Sequence, residues 1–264
     1  MTERYAFDNA TPRERERLAA LEAVFDPLVV RHLEGVGVGE RWRCLDVGAG
    51  GGSIAAWLCR RVGPGGRVVA TDLDTRFLAE LALPTLDVRR HDIRRDPLEE
   101  QAFDLAHARL LLEHLADSEH ALARMIAALK PGGWLVVADL DWVSAVPDLA
   151  TDPADAELFS RVQRLGLGLM ETGGFNPAYG RQLPRLLRTC GLVDVRAEGH
   201  TWVAQGGSPG ATWWRLTFGR LCERLLASGA LTEQEVTRVL ALVTDPDFAF
   251  LYPTLLVASG RRAA

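Results

Sequence analysis

The residues best suited to chemistry lie between Cys44 and Asp92. Asp46-x-Gly48-x-Gly50-x-Gly52 sets an acid two places before three alternate glycines. Residues 43–47 read as a short buried strand and 53–62 as a helix stopped by Gly63-Pro64. Strand, glycine turn and helix together make a nucleotide platform. Glycines tolerate positive φ and let a ligand approach the backbone, and the helix N-terminus offers free N–H groups and partial positive charge. The dinucleotide fingerprint G-x-G-x-x-G fails at its third glycine, where Ser53 stands, and no lysine follows as in a phosphate loop. A second acid, Asp72, ends the next apolar strand, twenty residues after Gly52. That spacing lets a carboxylate reach ribose hydroxyls.

Three further stretches follow in order: Arg90-His91-Asp92-Ile93, Phe103-Asp104-Leu105 and Leu129-Lys130-Pro131-Gly132-Gly133. With the glycine loop and Asp72, over roughly residues 41–141, they resemble the class I S-adenosylmethionine (SAM)-dependent methyltransferases. The resemblance implies SAM as cofactor and S-adenosylhomocysteine as product. It implies that Asp46 orients the loop or holds the methionine amine through water, that Gly48, Ala49, Gly50 and Leu73 contact the cofactor, and that Asp72 bonds the ribose. Asp92 would bond the adenine amino group with Ile93 beside the ring, and Ala108 would offer its carbonyl to the methionine amine. Each has a plainer alternative: a tight turn for the glycines, a helix cap for Asp72, a loop-ordering role for Asp46. Asp104 reads as structural.

The elements that must position these residues alternate. Strands are expected at 86–90, 102–108 and 134–139, the last a nearly continuous apolar run of the kind covered on both faces of a parallel sheet. Helices are expected at 75–83, from Ser118, and at 154–170, 181–190 and 211–227, with a final strand over 248–259 after a capping box Thr232-x-x-Glu235. The N-terminal helix starts at Thr11-Pro12-Arg13-Glu14, a second capping box, and turns Leu18, Leu21, Phe25 and Leu28 to one face. This alternation is the doubly wound α/β class. The resemblance implies a Rossmann-like, mostly parallel seven-stranded sheet of order 3-2-1-4-5-7-6. Residues 1–40 form a strap and helix, and 41–264 form the SAM-binding domain. A helical substrate cover is expected from about 142–180 and part of 205–230.

At 48% hydrophobic and 25% charged, the 264 residues suit an ordinary globular fold. Net charge is −5 with signs interspersed, which argues against a nucleic-acid partner. No run of about 18 apolar residues predicts a membrane span, and Met1–Tyr5 reads as no signal peptide, so a cytoplasmic location is expected. Four scattered cysteines without C-x-x-C read as reduced and buried, and no metal site is read in the chain. A monomer or homodimer is expected.

Methyl transfer from a sulfonium is an in-line displacement that needs alignment, exclusion of water and, for some acceptors, a base. His114, Asp141 and His200 are the candidate catalytic residues. His107 is a further possible proton acceptor, and Asp139 faces the same end of strand five. For each histidine a satisfied structural role competes. Arg4, Arg109 and Arg181 could meet an anionic acceptor, though a salt-bridged arginine is the commoner case. Tyr5, Trp142, Phe175, Tyr179 and Trp213 are candidate walls of an acceptor pocket, since such pockets are largely aromatic and apolar. The function so read is methylation of a small-molecule substrate, a specialised metabolite, at oxygen before carbon or nitrogen. Three readings compete: a non-catalytic SAM-binding protein, a SAM-fold enzyme recruited for cyclisation, and, disfavoured by Ser53, a nicotinamide dehydrogenase.

Overall fold

The computed structural model describes residues 12–264. Arg4, Tyr5, Phe7 and the cap residue Thr11 lie outside the described residues. In chain order the elements are α1 (Pro12–Gly35), β1 (Arg43–Val47), α2 (Ser53–Val62), β2 (Arg67–Asp72), α3 (Arg76–Ala79), β3 (Leu86–Arg90), β4 (Phe103–Arg109), α4 (Ser118–Ala128), β5 (Leu129–Asp141), β6 (Val146–Pro147), α5 (Pro153–Glu171), α6 (Leu183–Thr189), β7 (Val193–His200), β8 (Val203–Gln205), α7 (Pro209–Ala227), α8 (Glu233–Leu242), β9 (Ala249–Leu251) and β10 (Thr254–Arg261). They form two compact units. One holds Phe25–Asp141, Ala178–His200 and Leu255–Ala264; the other holds, of the described residues, 12–24, Trp142–Pro177 and Thr201–Thr254.

The first unit is built on a seven-stranded sheet of order β3-β2-β1-β4-β5-β10-β7. Counting only its own strands, that is 3-2-1-4-5-7-6, the order the resemblance implies. β3, β2, β1, β4 and β5 pair in parallel, and β10 runs antiparallel to β7. β1 and β4 are buried almost end to end, as strands covered on both faces must be. Their register sets Asp46 beside His107 and Val47 beside Ala108. Parallel neighbours in register point to the same face, so an acid and an imidazole meet there by topology alone.

Two strand boundaries differ from expectation. β5 starts at Leu129, not Trp134. The Lys-Pro-Gly-Gly stretch is drawn into the sheet because Gly132 N–H donates to Arg262 O and Arg262 N–H donates to Gly133 O. Gly133 is required there, since a Cβ would lie 3.0 Å from the carbonyl oxygens of Lys130 and Phe103. Asp104 is structural: it accepts from the Arg43 backbone N–H at 2.8 Å and from Lys130 Nζ at 2.8 Å. The final strand of 248–259 is two strands, β9 and β10, broken at Tyr252-Pro253. Proline has no N–H for a ladder, and Tyr252 N–H donates instead to Trp202 O at 2.8 Å.

The second unit contains a small sheet β6-β9-β8 that short, weakly alternating segments did not reveal in the sequence. Its core is aromatic: Trp214 stacks on Phe218 at 4.4 Å and on Phe159 at 4.9 Å. Gly166 permits this approach, because a Cβ would meet the Phe218 ring at 2.8 Å. Both bonds of the Thr232–Glu235 capping box are present at the start of α8. Thr232→Ala should therefore cost about 1 kcal/mol in urea unfolding; an unchanged midpoint would show that the cap contributes nothing. On α1 the buried face is Leu21, Phe25, Val29 and Leu33, so Leu28 turns partly outward. Glu14 is fully buried, and its carboxylate lies between Arg17 at 2.6 Å and Arg220 at 2.8 Å.

Candidate active site

The glycine loop between β1 and α2 is held open by its backbone. Gly48, Gly50 and Gly52 have φ of 69°, 57° and 88°, values that side chains with a Cβ rarely adopt. Gly52 caps α2 with no side-chain hydrogen bond, which leaves the first N–H groups of a ten-residue helix available to a ligand. Gly48 and Ala49 both donate to Thr71 O, at 2.8 and 3.0 Å, tying the loop to the end of β2. There Asp72 Oδ2 accepts from Gly50 N–H at 2.9 Å and Oδ1 from Asp74 N–H at 3.0 Å. Burial raises the Asp72 pKa, while the N–H groups of Asp74, Gly50 and Leu73 pull it down. A carboxylate has about four acceptor positions, so capacity is left for hydroxyl donors. Leu73, 48% exposed, is an apolar surface beside it.

Asp46, Gly48, Ala49, Ile54, His107 and Arg109 line a small, half-open recess. It is far smaller than the roughly 300–1,000 Å³ of a whole ligand pocket. Asp46 and His107 are almost wholly buried, with His107 Nδ1 2.7 Å from Asp46 Oδ1. A carboxylate oxygen accepts, so His107 Nδ1 is the donor of this bond. Among the described residues neither Asp46 Oδ2 nor His107 Nε2 has a partner. A buried polar atom without a partner costs about 1–3 kcal/mol. A ligand ammonium would satisfy Asp46 Oδ2, and the methionine end of SAM carries one. The residues present therefore fit SAM: Asp46, oriented by His107, for the amine, the glycine loop for close approach, Asp72 for the ribose. Arg109 is ion-paired with Asp26 of α1 and lies 3.5 Å from Ser53 Oγ, so it closes one wall of the cleft.

Residues 45–137 match the model of the methyltransferase domain family. The chain is 31% identical to methyltransferase str2 of Strobilurus tenacellus over 70% of its own length and 66% of that protein's. It spans just under two thirds of the curated relatives it matches, 62–66% of each.

The chain belongs to the class I SAM-dependent methyltransferases.

Two solved structures share its fold. A phosphoethanolamine N-methyltransferase 2 of Haemonchus contortus, solved with S-adenosylhomocysteine, superposes with TM-score 0.59 at 16% identity, over all of this chain and 61% of that one. The [4+2]-cyclase SpnF superposes with TM-score 0.54 at 20% identity, over 90% of this chain and 81% of that one.

Against this family frame, the other candidate residues scatter. Asp92 follows β3 as expected, but Arg94 and Arg95 each pair with its carboxylate at 2.9 Å and hold its pKa low. Ile93 is buried in the sheet core and Ala108 lies within the ladder, opposite Val47 and Val137. Of the three candidate bases, none lines the cleft. His114 closes a single 3-10 turn, 3.6 Å from Glu113. Asp141 takes two hydrogen bonds from Arg181, at 2.8 and 2.7 Å. His200 ends β7 with its Nε2 2.9 Å from that of His32. Of the aromatic residues, Trp142 stacks on Trp213 at 5.5 Å and meets Phe175 edge-on at 6.5 Å. Tyr179 is elsewhere, in the sheet core with Leu183 and Met125. Sequence reasoning named His107 only as one histidine among several. The signal that singles it out is the register of β1 against β4, which spacing alone does not give.

Asp72→Ala should lose on the order of 1.5–3 kcal/mol of SAM affinity, the scale of charge-assisted hydrogen bonds. Calorimetry on the folded variant checks this, and an affinity equal to wild type would remove Asp72 from the site.

Proposed function

We infer that the chain binds SAM and transfers its methyl group to a small-molecule acceptor, a specialised metabolite. The observation that carries this is the buried Asp46–His107 pair, which leaves Asp46 Oδ2 without a partner in the wall of a glycine-lined cleft. The methyltransferase names of the Strobilurus relatives support it. Bound SAM supplies an electrophilic methyl carbon on a sulfonium. The protein's own work is then to hold the amine at Asp46, which His107 orients, anchor the ribose at Asp72, and keep water from the reacting end. Rigid placement of this kind supplies much of the rate in displacement chemistry.

An oxygen acceptor is the first to test, with carbon and nitrogen next. Trp142, Phe175 and Trp213 are the candidate acceptor contacts. Each is buried, so alanine would remove packing as well as contact. Smaller changes such as Trp213→Phe should raise the acceptor KM while leaving SAM affinity within about threefold, a shift of under 1 kcal/mol.

The test is to incubate the protein with SAM and fractionated metabolites. S-adenosylhomocysteine and a product heavier by one methyl are expected. A rearranged product of unchanged mass, without S-adenosylhomocysteine, would mark a cyclase instead. Tight SAM binding with no product from any fraction would mark a sensor.

A further inference from the structure

The sheet unit holds a second cluster of chemically capable side chains, separate from the residues that line the cleft. His32, in the last turns of α1, meets Glu198 and His200, which sit two residues apart on β7 and so share a face. His32 Nε2 and His200 Nε2 are 2.9 Å apart, and Glu198 Oε2 is 3.7 and 3.8 Å from them. Among the described residues this is the group of three such side chains whose ligand atoms all lie within 4.8 Å. The two imidazoles are mostly buried, at 13% and 14% exposure, and the carboxylate is 59% exposed.

We propose that His32, Glu198 and His200 form a binding site for a zinc-class divalent transition metal, which ties α1 to the outer strand β7. Four-coordinate zinc has Zn–N of about 2.0–2.1 Å, which puts neighbouring ligand atoms about 3.3–3.4 Å apart. The observed separations lie on either side of that value, so small side-chain rotations complete the site. Imidazole donors select zinc, copper or nickel over magnesium and calcium. Two histidines and one carboxylate leave a fourth position for water.

The competing contact is Arg31, whose guanidinium lies 2.7 Å from Glu198 Oε2 and 3.4 Å from His200 Nε2. Arg31 and Glu198 are both 59% exposed. Exposed pairs of this kind are weakly held, so an ion that gains two imidazoles and a carboxylate displaces the arginine.

The test is calorimetric titration of chelator-treated protein with zinc chloride, with melting followed in parallel. One equivalent should bind at micromolar Kd or tighter and raise Tm. His32→Gln and His200→Gln should each weaken binding at least about 100-fold, and Glu198→Gln about 10-fold. Arg31→Ala should bind equally or more tightly. Loss of affinity in Arg31→Ala, zinc binding that survives both histidine changes, or no stoichiometric binding in wild type would each overturn the proposal. Should the histidine variants not fold, X-ray absorption of the wild-type zinc complex decides: two imidazoles with oxygen ligands support the site, and any other count refutes it.

Discussion

Gly50→Val should abolish measurable SAM binding, at least a 100-fold loss, while the fold survives. Gly50 has φ of 57°, and a β-branched residue held there is strained by about 1–3 kcal/mol. The chain relieves that strain by turning the 48–52 loop, and the turn has two consequences. Gly50 N–H would leave Asp72 Oδ2, its partner at 2.9 Å, so the carboxylate would lose the donor that fixes its orientation. The valine branches would also occupy the surface that glycine leaves open to a ligand. Neither consequence reaches the core, because the buried strands flanking the loop keep their pairing. Thermal melts with and without SAM separate the cases. Wild type should shift upward with ligand, as mass action requires, and the variant should melt near the wild-type apo temperature without a shift. A surviving shift would mean that the cofactor approaches by another route. Collapse of the apo melt would mean that the loop strain spreads into the fold.

The parts of this protein legible in its sequence are those governed by short-range rules. Asp46 through Gly52, Asp72 and the strands that carry them follow from buried runs, glycine placement and an acid at a strand tip, and they sit in the sheet order the resemblance implies. Features set by long-range register were hidden. The Asp46–His107 pair joins residues 61 apart, and His32 meets His200 across 168. No periodicity reports such a meeting. Only the sheet order and register do. The aromatic residues show the opposite error. Trp142, Phe175, Tyr179 and Trp213 look like one constellation because they crowd one stretch of sequence, yet Tyr179 belongs to the sheet unit and the others to its neighbour in the chain. The split of β9 from β10 turned on a single proline, which a hydrophobicity pattern treats as one more apolar residue.

The other large effect expected is a loss of stability as pH rises through neutrality, carried by Asp139. This carboxyl is wholly buried near the end of β5. Burial raises its pKa to about 8, against the backbone N–H groups of Glu113, Leu111 and Leu112, which pull it down. Oδ1 accepts from Glu113 N–H at 3.3 Å, and Oδ2 has no partner among the described residues. In the unfolded chain the group titrates near the ordinary 3.8. Below that value both states are protonated and the group contributes nothing. Between it and about 8 the native state keeps a proton that the unfolded state has released, so stability falls with each rise in pH and the loss is complete above the folded pKa. His32 and His200 act in the opposite sense at lower pH. Their folded pKa values lie below the ordinary 6.5, so their effect fades only over the pH unit above it. Between pH 6.5 and 8 the Asp139 slope still dominates, and the net loss should be on the order of 1 kcal/mol, with Asp139 alone contributing at most roughly 1.4 kcal/mol per pH unit. Asp139→Asn keeps the shape and removes the titration. It should unfold in urea with nearly the same midpoint across that window, and at pH 6.5 it should lie within about 1 kcal/mol of wild type, because its amide presents a donor where the protonated Oδ2 of the wild type already does. Titrations in the presence of chelator keep metal at His32 and His200 out of the comparison. Equal stability of the wild type at pH 6.5 and 8, or the same slope in Asp139→Asn, would show that the proton sits elsewhere.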